Sequence, residues 1–307
     1  MEVKQQIIQQ LGYTMEELPF KYLGVPLSTK KMNIIQWYPP IDKIMARINS
    51  WTPKKLSYAG RTQLIKTVLF GVKHYWAQLF IIPAKIIKVI KGLCRSYLWS
   101  GVGYVTKKAL IAWEKVCCPK SEGGIGLINM RIWNRAAIAK MCWDLANKED
   151  KLWIKWIHTY YIKGQREWQR KKQASWMIQK VMNAQLNVEQ VQQLQRKNKG
   201  VIRLLYDHMM GEQQKPIWTC LMFNNAARPK AYFIMWIMMN QRLVTVDRLA
   251  KWGVEVQKTR VLCKNDEETA EHLITQCSFA RRLWGRLLSW TGKHNDIPMT
   301  WEHFVQW

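Results

Sequence analysis

The sequence predicts a mainly α protein with a small extended portion near its amino terminus. Apolar residues recur at helical spacing through most of the chain, while Gly, Pro and aromatic residues cluster in one early segment. Hydrophobic residues make up 48% of the 307 positions, enough to bury a sizeable core.

The elements follow in order. Leu18 to Leu27 is rich in Pro, Gly and aromatics, which suits a hairpin. Pro39 and Pro40 can open a helix, with Ile41, Ile44, Met45 and Ile48 on one face. From Tyr58 to Phe80 the apolar positions keep helical spacing until Pro83 breaks the run. A further helix begins near Ala84. Ile86, Ile87, Ile90, Leu93, Cys94 and Tyr97 form its apolar stripe, and Lys85, Lys88, Lys91 and Arg95 gather on the other side. Residues 101 to 128 read as irregular, with short extended pieces near residue 110. The glycines from Gly123 to Gly126 make a tight turn, because they lack the spacing and the Lys-Ser/Thr of a phosphate loop. Helices are expected again over 133–145, 152–162, 230–240, 245–252 and 278–290.

A polar, glutamine-rich stretch separates the halves. It divides the chain into residues 1–162, a linker or loosely packed helix over 163–200, and a carboxy-terminal unit over 201–307.

Charge narrows the function. Lys plus Arg total 48 against 21 Asp plus Glu, a net +27. From Lys43 to Trp113 there is neither Asp nor Glu. A single-sign field of that length is the footprint of a partner with a phosphate backbone. Lys54, Lys55, Arg61, Lys66, Lys85, Lys88, Lys91 and Arg95 are the candidate phosphate contacts. No apolar run is long enough to span a membrane, and the amino terminus has no apolar signal region. The 7 scattered cysteines fit thiols in a reducing compartment. The basic run Arg170-Lys171-Lys172 suits nuclear import, so the expected location is intracellular, with the nucleus favoured. Most of the 18 tryptophans lie in apolar runs and are expected in the core.

Catalytic groups are harder to find. Two-metal polymerases need paired carboxylates, and the acids cluster only at Glu149-Asp150 and around Asp266 to Glu271, away from any apolar strand. Cys263, His272 and Cys277 have spacings that small zinc sites use. The place where a Cys-x-x-Cys pair ending at Cys263 would start holds Arg260, whose guanidinium cannot ligate zinc. The residues therefore favour a packed helical turn with two free thiols and no metal, with a zinc site as the alternative.

These motifs carry a resemblance. Phe20-Lys21-Tyr22-Leu23-Gly24-Val25-Pro26-Leu27 resembles the segment after the catalytic palm of LINE-type reverse transcriptases. Leu56 to Arg61 and the helix after it look like the start of that family's thumb. Ile111-Ala112-Trp113, the turn at Gly123 to Leu127, Lys215 to Trp218 and Arg228 to Phe233 match in order. Arg242 to Leu249, followed by Cys263, Glu268, His272 and Cys277, looks like the zinc-binding segment of plant elements. The resemblance implies a primer-grip role for Phe20, Tyr22, Leu23 and Gly24, and zinc on Cys263, His272 and Cys277. The family's palm aspartates and ribonuclease H domain are not among these residues. The expected function is therefore a non-catalytic nucleic-acid-binding fragment of a LINE-type reverse transcriptase, gripping a duplex or RNA–DNA hybrid. The second reading is a repurposed protein-interaction factor, and the third an active polymerase or nuclease.

Overall fold

The computed structural model describes residues 2–12, 20–22, 25–27, 32–51, 56–74, 76–162, 174–185, 188, 200–223, 228–292, 298 and 300–306. Most of them are helical, as the sequence predicts.

After helix α1 (Glu2–Leu11), strands β1 (Phe20–Tyr22) and β2 (Val25–Leu27) form the expected hairpin. They pair antiparallel with Phe20 opposite Leu27 and Tyr22 opposite Val25. Leu23 and Gly24 fall outside the described residues. Helices α2 (Tyr38–Trp51) and α3 (Tyr58–His74) follow. The helical run expected to continue to Phe80 is resumed by α4 (Trp76–Leu79), and Tyr75 lies outside the described residues. Helix α5 (Ala84–Ser100) starts at Pro83 and stops at Gly101, whose φ of 74° is the left-handed turn that glycine adopts freely. Residues 101–128 hold no strand; helix α6 (Trp113–Cys117) and one 3₁₀ turn (Lys120–Glu122) stand where extended pieces were expected.

Helix α7 (Met130–Ala146) is the centre of the molecule. Asn129 caps it, its side chain accepting from the backbone N–H of Arg131 and Ile132. Trp133, Ala136, Ala139, Cys142, Trp143 and Leu145 are buried almost all round it. Helices α3, α4, α5, α9 (Trp176–Met182) and α10 (Val201–Met210) pack against it. Between them, α8 (Leu152–Ile157) runs on as a π-helical turn to Ile162.

One polar side chain organises this centre. Buried Asn134 donates to the carbonyls of Ala77 (2.8 Å) and Phe80 (2.7 Å) and accepts from the Ile82 N–H (2.9 Å). It thereby terminates α4 and sets the entry into α5. Asn134→Ala strands these main-chain groups, and we expect it to destabilise the fold by roughly 3 kcal/mol. Urea unfolding measures this, and a loss below about 1 kcal/mol would show that water replaces the amide.

The core is continuous from Trp37 to Met239. It includes Ile178, Val181 and Val188, from the stretch expected to be a linker, because helix α9 turns its apolar face onto α7. It also includes Leu205, Phe233 and Trp236 from beyond residue 200. Two hydrogen bonds reinforce that junction: the Tyr206 hydroxyl accepts from the Asn129 N–H (3.1 Å), and Trp236 Nε1 donates to the Gly123 carbonyl (2.9 Å). Trp37, Trp99, Trp113, Trp133, Trp143, Trp218 and Trp236 are all buried.

Helices α11 (Thr219–Phe223) and α12 (Pro229–Met239) complete this core, and α13 (Val246–Lys251), α14 (Ser278–Trp290) and α15 (Trp301–Gln306) follow. No helix among the described residues is long and apolar enough to cross a membrane.

Candidate metal centre and basic groove

Two places in this fold gather chemistry. The first lies between α13 and α14. A tight turn carries Cys263, a π-helical turn (His272–Gln276) carries His272, and Cys277 stands at the start of α14. The ligand atoms of Cys263, His272 and Cys277 all lie within 4.8 Å of one another. Cys263 Sγ is 3.2 Å from His272 Nε2. His272 and Cys277 are buried, and Cys263 is half-buried.

Electrostatics favour the thiolate here. The Asn265 backbone N–H pulls the Cys263 thiol down to about 6, against the opposing effect of partial burial, and His272 and Cys277 add to the pull. On the far side of the imidazole, His272 Nδ1 faces the Asp266 carboxylate at 3.8 Å. Ligating histidines commonly have such an outer partner, which orients the ring.

This donor set fits zinc with three protein ligands. Tetrahedral zinc holds its sulfur and nitrogen donors about 3.5 Å apart, given the usual bond lengths. Arg260 stands at the fourth corner's place in sequence, and the turn survives without a ligand there. The Arg260 N–H donates to the Asp266 carbonyl (3.0 Å), the Lys264 N–H donates to the Arg260 carbonyl (2.9 Å), and Thr259 bridges to Glu267. Arg260 itself is buried, with Nη1 donating to the Leu273 carbonyl (3.0 Å).

Residues 201–284 match the family described as zinc-binding in reverse transcriptase. The matched segment takes in the metal centre. It contains all three donors and Arg260. A protein of Arabidopsis thaliana, whose name describes it as a ribonuclease H protein, is 31% identical over 141 residues, which is 46% of this chain and 23% of that protein's length. The chain thus spans under a quarter of that relative. Together the two likenesses support the expected kinship with retrotransposon reverse transcriptases.

The second place precedes the zinc-binding segment. A groove of about 740 Å³ runs between α5 and the start of α7. Lys85, Lys88 and Lys91 line one wall, one helical turn apart, and Arg131 and Arg135 line the other. Leu69, Ile90, Trp113 and Met130 contribute apolar floor. Lys85, Lys88, Arg131 and Arg135 are exposed. Glu114 is the one acid on the wall; it pairs with Lys91, whose hydrogen bond is the main cause holding its carboxyl below the usual range.

The remaining sequence candidates are dispersed. Arg61 lies over the Tyr58 ring at 5.3 Å and donates to the Leu98 carbonyl (3.3 Å). Arg95 donates to the Thr106 carbonyl (3.2 Å), and its Nε is buried without a hydrogen-bond partner. Both guanidiniums are thus committed to main chain. Lys66 lines a separate pocket with Lys120. Lys54 and Lys55 lie outside the described residues, and for Phe20 and Tyr22 only the backbone pairing is described. Arg131 and Arg135 were missed in the sequence because their partners lie on α5, far away in the chain. Their spacing of four on a helix was the available signal.

Of the clustered acids, Asp266 and Glu267 are exposed, while Glu271 is half-buried and accepts from the Trp301 N–H (2.9 Å). Asp150 is exposed and paired with Lys155, and Glu149 with Lys151. Glu267 faces Lys258 at 3.9 Å.

Proposed function

We propose that this protein is a nucleic-acid-binding part of a LINE-type reverse transcriptase that grips its substrate without performing the chemistry. The observation that carries this reading is the groove. Lys85, Lys88, Lys91, Arg131 and Arg135 converge there against Glu114 alone. Cations along a groove fit a phosphate backbone, and they position a duplex without reading its sequence. The apolar floor suits the sugar edges that lie between phosphates. A relative named for ribonuclease H and a segment matched to reverse transcriptase suit a common origin in one retroelement protein.

The zinc-binding segment serves this role structurally. Cys263, His272 and Cys277 would hold the ion, which would supply a cross-link between the turn at Cys263 and the start of α14. The site is set up by its neighbours: the Asp266 carboxylate lies 3.8 Å from His272 Nδ1, and the Asn265 N–H favours the Cys263 thiolate.

Titration of a labelled RNA–DNA hybrid, a DNA duplex and a single strand at several salt concentrations tests the proposal. Binding that weakens steeply with salt and favours the hybrid is the expected result. Weak binding, indifferent to strand type, would instead favour the protein-partner reading.

A further inference from the structure

A pocket of about 350 Å³ lies where α3 meets the zinc-binding segment, apart from both the basic groove and the metal centre. Lys66 and Gln63 reach it from α3, Lys120 from the 3₁₀ turn, and Pro229, Tyr232 and Phe233 from α12. Among the described residues its lining includes no Asp or Glu, and Glu122, near Lys120 in sequence, is not part of it. Two ammonium groups therefore share one concave, largely apolar pocket with three aromatic rings in its lining.

Lys66 is half-buried, and its ammonium is held below its ordinary pKa by burial first and by the charge of Lys120 second. An anion between the two lysines relieves both effects. The position of Lys120 is also built in. Its turn folds back tightly enough that a Cβ on Gly124 would lie 2.0 Å from the Cys118 carbonyl oxygen, so glycine is required there. The Phe233 ring is stacked on Tyr58 at 5.2 Å, which fixes that wall.

The rest of the lining is not that of a bare phosphate site. Tyr232 and Phe233 offer ring surface, Pro229 an apolar edge, and Gln63 an amide that can donate and accept. The volume is at the lower end of small-ligand pockets and exceeds what a phosphate alone fills.

We propose that this pocket binds a nucleoside monophosphate group, with the phosphate between Lys66 and Lys120 and the base against Tyr232. The group can come from a free nucleotide or from the phosphorylated end of a strand. The proposal goes beyond the groove reading and shares no residue with it.

Calorimetric titration of the intact chain with AMP, with inorganic phosphate and with adenosine tests it. AMP should saturate a single site and bind more tightly than either part. Lys66→Met and Lys120→Met, which keep the aliphatic stems, should each weaken AMP by about tenfold, as loss of a charged hydrogen bond does. Lys85→Ala, in the groove, should leave AMP binding unchanged while it weakens hybrid binding. Competition against AMP by oligonucleotides with 5′-phosphate or 5′-hydroxyl ends separates the sources. Displacement that requires the phosphate assigns the pocket to strand ends, and its absence assigns it to free nucleotides. Failure of AMP to bind the folded chain overturns the proposal. So does AMP binding that survives both Met variants or that falls with Lys85→Ala.

Discussion

Arg260→Cys is expected to raise zinc affinity at neutral pH by about 100-fold, the upper end of what even outer-shell partners of zinc sites contribute. The backbone is already shaped for it. The turn from Thr259 to Glu267 is closed by main-chain hydrogen bonds, with Arg260 where a first Cys-x-x-Cys ligand would stand. The substitution removes the bond from Arg260 Nη1 to the Leu273 carbonyl, a loss of about 1 kcal/mol without metal. With metal, a third thiolate would supply the fourth ligand and close the site. Zinc competition against a chromogenic chelator reads the affinity. Thermal melting with and without EDTA reads the linked stability, and the metal-dependent gap should widen in the variant. Equal affinity in the two proteins would mean that position 260 does not point at the ion.

Replacing Lys85, Lys88, Arg131 and Arg135 together by Ala should flatten the salt dependence of duplex binding. Each phosphate contact removed lowers the slope of log K against log salt by about 0.9, so the four should lower it by roughly 3 to 4. Lys91 is kept because it pairs with Glu114, and removing it would leave that carboxylate alone in the groove. The replaced side chains are exposed, so the fold should tolerate the change. Lys107→Ala with Lys108→Ala, also exposed but not on the groove wall, serves as the comparison, read per charge removed. An equal loss of slope per charge in both variants would mean that nucleic acid meets a diffuse surface and not this groove.

What was legible in the sequence was mostly local. The stripe of Ile86, Ile90, Leu93 and Tyr97 gave α5 its inner face, because burial follows helical period. The Cys263, His272 and Cys277 set was readable because its ligands lie within fifteen residues of one another. Long-range pairing was not readable. The end of α4 and the entry into α5 are tied to Asn134, more than fifty residues further on, which no local pattern in the sequence announces. Arg61 and Arg95 look like phosphate contacts by charge alone, and only the positions of Leu98 and Thr106 reveal their carbonyl partners. The 163–200 stretch reads as polar overall, yet Ile178, Val181 and Val188 suffice to bury part of it.

The tie between α7 and the helices beyond residue 200 has a consequence for how the protein opens. The Tyr206 hydroxyl at the cap of α7 and the Trp236 indole on Gly123 hold the two halves of the core at points far apart in the chain. Backbone amides deep in α7 and in α12 should therefore exchange with solvent deuterium through one shared event, while those around Cys263 exchange by smaller, independent openings. A protease would meet the metal-site turn long before it met the core, and a cut there would leave the groove standing.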